Sequence, residues 1–120
     1  MTLFFYLLVV KHAIADLALQ SLIVGGDKLD LRSHKGYRHA LDHAALTLLV
    51  ASWFVSVPLA VSLALLDFSL HFLIDYCKSL YVRRLSITMD DRLFWPIQSL
   101  DQCAHFTCYL FYVSLVVHTL

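Results

Sequence analysis

The sequence predicts an all-α integral membrane bundle of four transmembrane helices, one domain over residues 1–120, with both termini on the non-cytoplasmic side. Three observations predict it. The 120 residues are 60% hydrophobic and only 15% charged, whereas soluble domains run at about 25% charged and about 45–50% apolar. All nine acids are aspartate; glutamate, which with lysine normally coats solvated helix surface, is absent. The chain also divides into four apolar stretches near the membrane-crossing length of about 20 residues. Short apolar runs also suit the core helices of a soluble bundle, but too few polar residues remain here to cover such a surface.

The first expected span is 2–24, interrupted by Lys11, His12, Asp16 and Gln20 and closed by Gly25 and Gly26, since glycine favours the position past a helix end. It lacks a basic leader and an A-x-A cleavage site, so it reads as a retained helix. A polar loop, 27–38, leads to a second span at 39–57. Pro58 marks a hairpin, a third span covers 59–78, and a polar connector fills 79–93. The fourth span, 94–120, opens on Phe94-Trp95-Pro96; proline suits a helix's first turn and tryptophan the membrane interface.

Charge placement orients the spans. Lys28, Arg32, Lys35 and Arg38 gather around the first connection, and Lys78, Arg83, Arg84 and Arg92 around the third. The positive-inside rule puts both connections in the cytoplasm, in a multi-pass membrane protein. The formal net charge is zero, so nothing points to nucleic acid. The expected partners are the lipid bilayer and further copies of the chain. Cys77, Cys103 and Cys108 form an odd set without a Cys-x-x-Cys and read as small apolar helix residues.

Ionisable residues inside a span cost about 2.5–3.5 kcal/mol on insertion scales, so they usually face the bundle interior and serve a function. Here they recur at one spacing: His12/Asp16, His39/His43, His71/Asp75 and Asp101/His105. Each i,i+4 pair shares a helix face, one turn apart. At a rise of 1.5 Å per residue all lie roughly 3–15 Å from the cytoplasmic ends. Asp16, His39, Asp75 and Asp101 form the shallower layer; His12, His43, His71 and His105 form the deeper one.

Imidazole with carboxylate suits a divalent transition metal such as Zn, Mn or Fe, and pairs on facing helices are how carboxylate bundles hold two ions. One or two ions are expected, with these eight residues as ligands or immediate supports. Such a site can activate water against a phosphate ester, so hydrolysis of a phosphorylated or lipid substrate is the leading enzymatic reading. Asp101 or His34 would move protons there, and Lys35 and Arg38 would draw the anion. The alternatives are a proton or metal-ion pathway built from the same residues, and a structural polar core for an assembly subunit. Haem is disfavoured by the repeated carboxylates.

Among the neighbours, Gln20, Gln102 and Asp67 are placed to support the ligands. Asp42 points about 100° away from His43. Lys11 is off the His12 face and either snorkels or answers an acid. The aromatic run 106–112 reads as packing or lipid-facing surface, and His118 as interfacial.

The blocks KHAIADLALQS, HKGYRHALDH, HFLIDYCK and LDQCAHF resemble the signature of a small bacterial and phage membrane-protein family, catalogued as domain of unknown function number 3307. The resemblance covers most of the chain and implies an integral membrane protein without an established activity. A looser likeness is to bacterial inner-membrane proteins labelled metal-dependent hydrolases. It rests on His34-Lys35-Gly36 with His39, lysine standing for their arginine, and on His71 with Asp75.

Overall fold

The computed structural model describes residues 1–19 and 34–119. The described residues form four helices and no strand. Helix α1, Thr2–Ala13, continues as a π-helical turn, Ile14–Leu19. Helix α2 is His34–Ala51, α3 is Val57–Arg84 and α4 is Phe94–Thr119. The expected helix end at Gly25 and Gly26, and the supporting place of Gln20, lie outside the described residues.

Several boundaries differ from expectation, each for a local reason. Pro58 is not the hairpin. The chain turns at residues 52–56, and Pro58 occupies the first turn of α3 behind an extended Ser56 cap, where its missing N–H costs nothing. Helix α3 continues past Lys78 to Arg84, so the polar connector shortens to residues 85–93. Helix α2 starts five residues before His39, which makes His34 and Gly36 helical.

Three helices are long and apolar enough to cross a membrane: Thr2–Leu19, Val57–Arg84 and Phe94–Thr119. This corrects the expected count of four. Helix α2 is not among them because its 18 residues carry Lys35, Arg38 and Asp42 besides three histidines.

Helix α1 packs on α2 and α4, α2 on α3, and α3 on α4, closing a four-membered ring. Alanines let α2 and α3 approach: Ala40, Ala44 and Ala51 on one and Ala60 and Ala64 on the other are all buried. The apolar core combines Phe4 and Leu8 with Ala51, Ala60, Leu63, Tyr109, Tyr112 and Val116. These come from the start of α1, the end of α2, the start of α3 and the end of α4. The helices therefore alternate in direction, and the apolar core fills one end of the bundle. The other end holds the paired histidines and aspartates. Trp53 in the hairpin and Trp95 at the opposite end are both exposed.

Candidate metal centre

Each helix delivers its pair to the same place. His12, His39, His43, His71, Asp75, Asp101 and His105 are buried, and the Asp16 side chain is 26% exposed. Asp16 lies in the π-helical turn of α1, a geometry frequent at functional sites.

Asp16 faces three imidazoles. Its carboxylate is 3.2 Å from His12 Nε2, 3.2 Å from His39 Nε2 and 3.1 Å from His43 Nε2. Asp75 repeats the pattern, at 3.6 Å from His39, 3.8 Å from His71 and 3.4 Å from His105, again at Nε2. His39 touches both carboxylates, and its Nε2 is 3.4 Å from that of His71. The four deeper imidazoles close a ring of their own. His43 stacks on His71 at 3.5 Å and His71 on His105 at 4.1 Å, while His12 lies 4.9 Å from His105 and 5.0 Å from His43.

Ligand-type atoms gather in three overlapping groups: Asp16 with His39, His43 and His71; His12 with His71 and His105; and Asp75 with Asp101 and His105. Within each group they lie within 4.8 Å of one another. The structure thus brings together all eight residues of the expected ligand set. His34, Lys35 and Arg38 stand apart on the exposed first turns of α2. Lys35 is one turn before His39 on the same face; His34 and Arg38 are rotated away from it.

Further polar groups surround the cluster, among them Asp67 and Gln102, which were expected as supports. Lys11 donates to Asp67 at 2.6 Å, with both side chains 3% exposed. Asp67 also accepts from Thr47 at 2.7 Å and from Tyr112 at 3.2 Å. The Lys11 ammonium sits over the Tyr109 ring at 4.7 Å, a cation–π contact, and 3.5 Å from His43 Nδ1. Asp67 therefore serves Lys11, one layer beyond the imidazoles. The Tyr109 hydroxyl is 2.8 Å from His12 Nδ1. Tyr109 and Tyr112 are fully buried, so part of the aromatic run is polar lining. On the other side Lys78 donates to Asp101 Oδ2 at 2.8 Å. Gln102 bridges two groups, 3.1 Å from His12 Nε2 through Oε1 and 3.4 Å from Asp101 Oδ2 through Nε2.

Among the described residues, three buried polar atoms have no hydrogen-bond partner: His39 Nδ1, His71 Nδ1 and Asp101 Oδ1. The Asp101 oxygen points inward, 3.7 Å from His105 Nε2.

Thr47, Asp67 and Tyr109 each lie one turn beyond a ligand-type histidine, at His43+4, His71−4 and His105+4. That spacing already points to Asp67, and extending the i,i+4 stripe by one turn on the other helices would have found Thr47 and Tyr109. Lys78, at Asp75+3, carried the weaker signal of a lysine at the margin of a span.

Comparison with known proteins gives one match. The model of a family described as a protein of unknown function (DUF3307) matches residues 3–120. No curated protein and no solved structure matches the chain.

Proposed function

This chain belongs to the family described as a protein of unknown function (DUF3307), and we propose that it is a membrane-embedded metal-binding protein whose His/Asp cluster holds one or two divalent transition-metal ions. The observation that carries the reading is the spacing of the donors. The Nε2-to-carboxylate separations run from 3.1 to 3.8 Å, mostly longer than the usual N–H···O bond of about 2.9–3.0 Å. They bracket the edge of a tetrahedral shell, about 3.3 Å for metal bonds of about 2.0–2.1 Å. The two lysine–aspartate ion pairs in the same bundle are tighter: 2.6 Å for Lys11–Asp67 and 2.8 Å for Lys78–Asp101. The unpartnered, inward-facing Asp101 oxygen fits the same donor set.

The bilayer is the proposed setting for all four helices, with α2 carried in by its neighbours. Large apolar side chains point outward, Leu17 at 76% and Leu65 at 64% exposure, while ten polar or charged residues are buried. That inverted polarity suits lipid as the solvent. Exposed Trp53 and Trp95 at opposite ends suit the two interfaces. Arg83, Arg84 and Arg92 lie at the Trp95 end, so that end faces the cytoplasm and both termini face away. The proposed location is a bacterial inner membrane.

If the protein is an enzyme, it is a metal-dependent hydrolase of a phosphorylated or lipid substrate. A divalent ion in this position supplies Lewis acidity toward a phosphoryl or carbonyl oxygen. Asp101, held by Lys78 through Oδ2, keeps Oδ1 available to take a proton at the cluster. Lys35 and Arg38 lie on the exposed turns before His39, where they would draw an anion toward the cytoplasmic end.

A conduit for protons or ions uses the same residues but needs a polar file through the bundle. Here the file ends at Asp67 and Tyr112. Beyond them Phe4, Leu8, Leu63 and Val116 close the interior at 0–1% exposure. A closed site is therefore preferred.

The test is elemental analysis of detergent-purified protein after extensive dialysis. One or two equivalents of a transition metal per chain, lost in His71→Gln and Asp75→Asn, would support the site. Protein that holds no metal and recovers none from added Zn, Mn or Fe would refute it.

A further inference from the structure

We infer that the groove between α3 and α4 seats an anionic lipid, an acyl chain with a phosphomonoester head group of the kind phosphatidic acid carries, and that Lys78 receives the phosphate. The groove encloses about 580 Å³. Its walls are apolar, with Leu73, Ile74 and Cys77 on α3 and Ile97, Leu100 and Ala104 on α4. The polar floor is Lys78 and Asp101. Asp101 belongs to a ligand group with Asp75 and His105, so an apolar trough on the outer face of the bundle runs directly to the candidate centre.

Charge complements the shape. The Lys78 side chain is 20% exposed while its ammonium holds Asp101 Oδ2 at 2.8 Å. Toward the connector, Arg83, Arg84 and Arg92 are exposed on the elements that frame the groove's mouth. An anionic head at Lys78 would leave its acyl chain along Leu73, Leu100 and Ala104 and its remaining polar part toward those arginines. One lysine contributes about 1 kcal/mol toward an anionic head group near a membrane surface, or about fivefold in affinity. The opposite groove, between α2 and α3, lacks such a floor: it is lined by Leu41, Ala44, Leu48, Val61, Leu65 and Phe68 among other apolar residues. The inference deepens the metal-site reading through the shared Asp101.

The experiment uses the full chain reconstituted in nanodiscs with spin-labelled phosphatidic acid or phosphatidylcholine of the same acyl chain. The motionally restricted fraction is read by electron paramagnetic resonance, and metal is measured on the same samples. Wild type is expected to retain phosphatidic acid about fivefold over phosphatidylcholine. Lys78→Gln should remove that preference and Lys78→Arg should restore it. Leu100→Trp, at a position 69% exposed and therefore tolerant of bulk, should reduce retention of both lipids by filling the groove. Equal retention of the two lipids by wild type, a preference that survives Lys78→Gln, or displacement of phosphatidic acid by millimolar inorganic phosphate would overturn the inference. Metal present without lipid preference removes the groove and leaves the centre standing. Lipid preference without metal does the reverse.

Discussion

Replacing Lys11 by methionine tests how the bundle tolerates a deeply buried charge pair. The change keeps the length of the side chain and removes the ammonium. Lys11 and Asp67 meet at 2.6 Å with side chains 3% exposed, so water cannot take over for the missing partner. Breaking a buried pair from one side costs about 3–5 kcal/mol, because the other charge stays buried and uncompensated. Here Thr47 and Tyr112 still donate to Asp67, and each hydrogen bond to a charged group is worth about 1.5–3 kcal/mol. The expected loss is therefore at the lower end, about 3 kcal/mol. Asp67→Asn alone should cost about the same, since it strands the ammonium. The double variant removes both charges; the asparagine carbonyl still accepts from one of the two hydroxyls and its amide can donate to the oxygen of the other, so it should lose only about 1 kcal/mol. Reversible unfolding of purified protein in mixed micelles, driven by the dodecyl sulfate fraction and followed by circular dichroism, gives the double-mutant cycle. Single losses that simply add in the double variant would refute the pairing.

Four further outcomes follow from the cluster. His39→Gln should reduce bound metal as His71→Gln does, since its Nε2 lies 3.2 Å from Asp16 and 3.6 Å from Asp75, and unchanged metal content would remove it from the ligand set. His34→Gln should leave the metal content of dialysed protein unchanged, and a loss there would reassign the ligands. Tyr109→Phe removes the hydroxyl 2.8 Å from His12 Nδ1 and should weaken metal affinity about 10–100-fold without unfolding the protein; unaltered affinity in a competition titration would exclude that support. Ligation requires neutral imidazole and ionised carboxylate, so binding releases protons and metal affinity should fall as pH falls. Equilibrium dialysis at neutral and mildly acidic pH reads this, and pH-independent affinity would argue against histidine ligands.

Much of the site was legible because helical spacing needs no neighbour to interpret it. His71 and Asp75 share a face whatever packs against them, and so do Asp101 and His105. Residues that bond across helices were less legible. Lys11 is off the His12 face in sequence, and its role appears only when α3 brings Asp67 to it. Lys78 looked like a topology charge until α4 placed Asp101 at 2.8 Å. The apolar count overrated α2 as a span, because the expected stretch 39–57 left Lys35 and Arg38 in the loop, whereas the helix takes in both and ends at Ala51.

The sequence by itself determined the helical class and the set of paired ligand-type residues. It did so because hydrophobic content, proline placement and i,i+4 spacing act within one helix. Only the tertiary structure decided that the four pairs meet, which lysine answers which aspartate, and where apolar packing closes the polar interior. Those outcomes depend on the azimuth and depth at which one helix presents its face to the next, and no single segment encodes them.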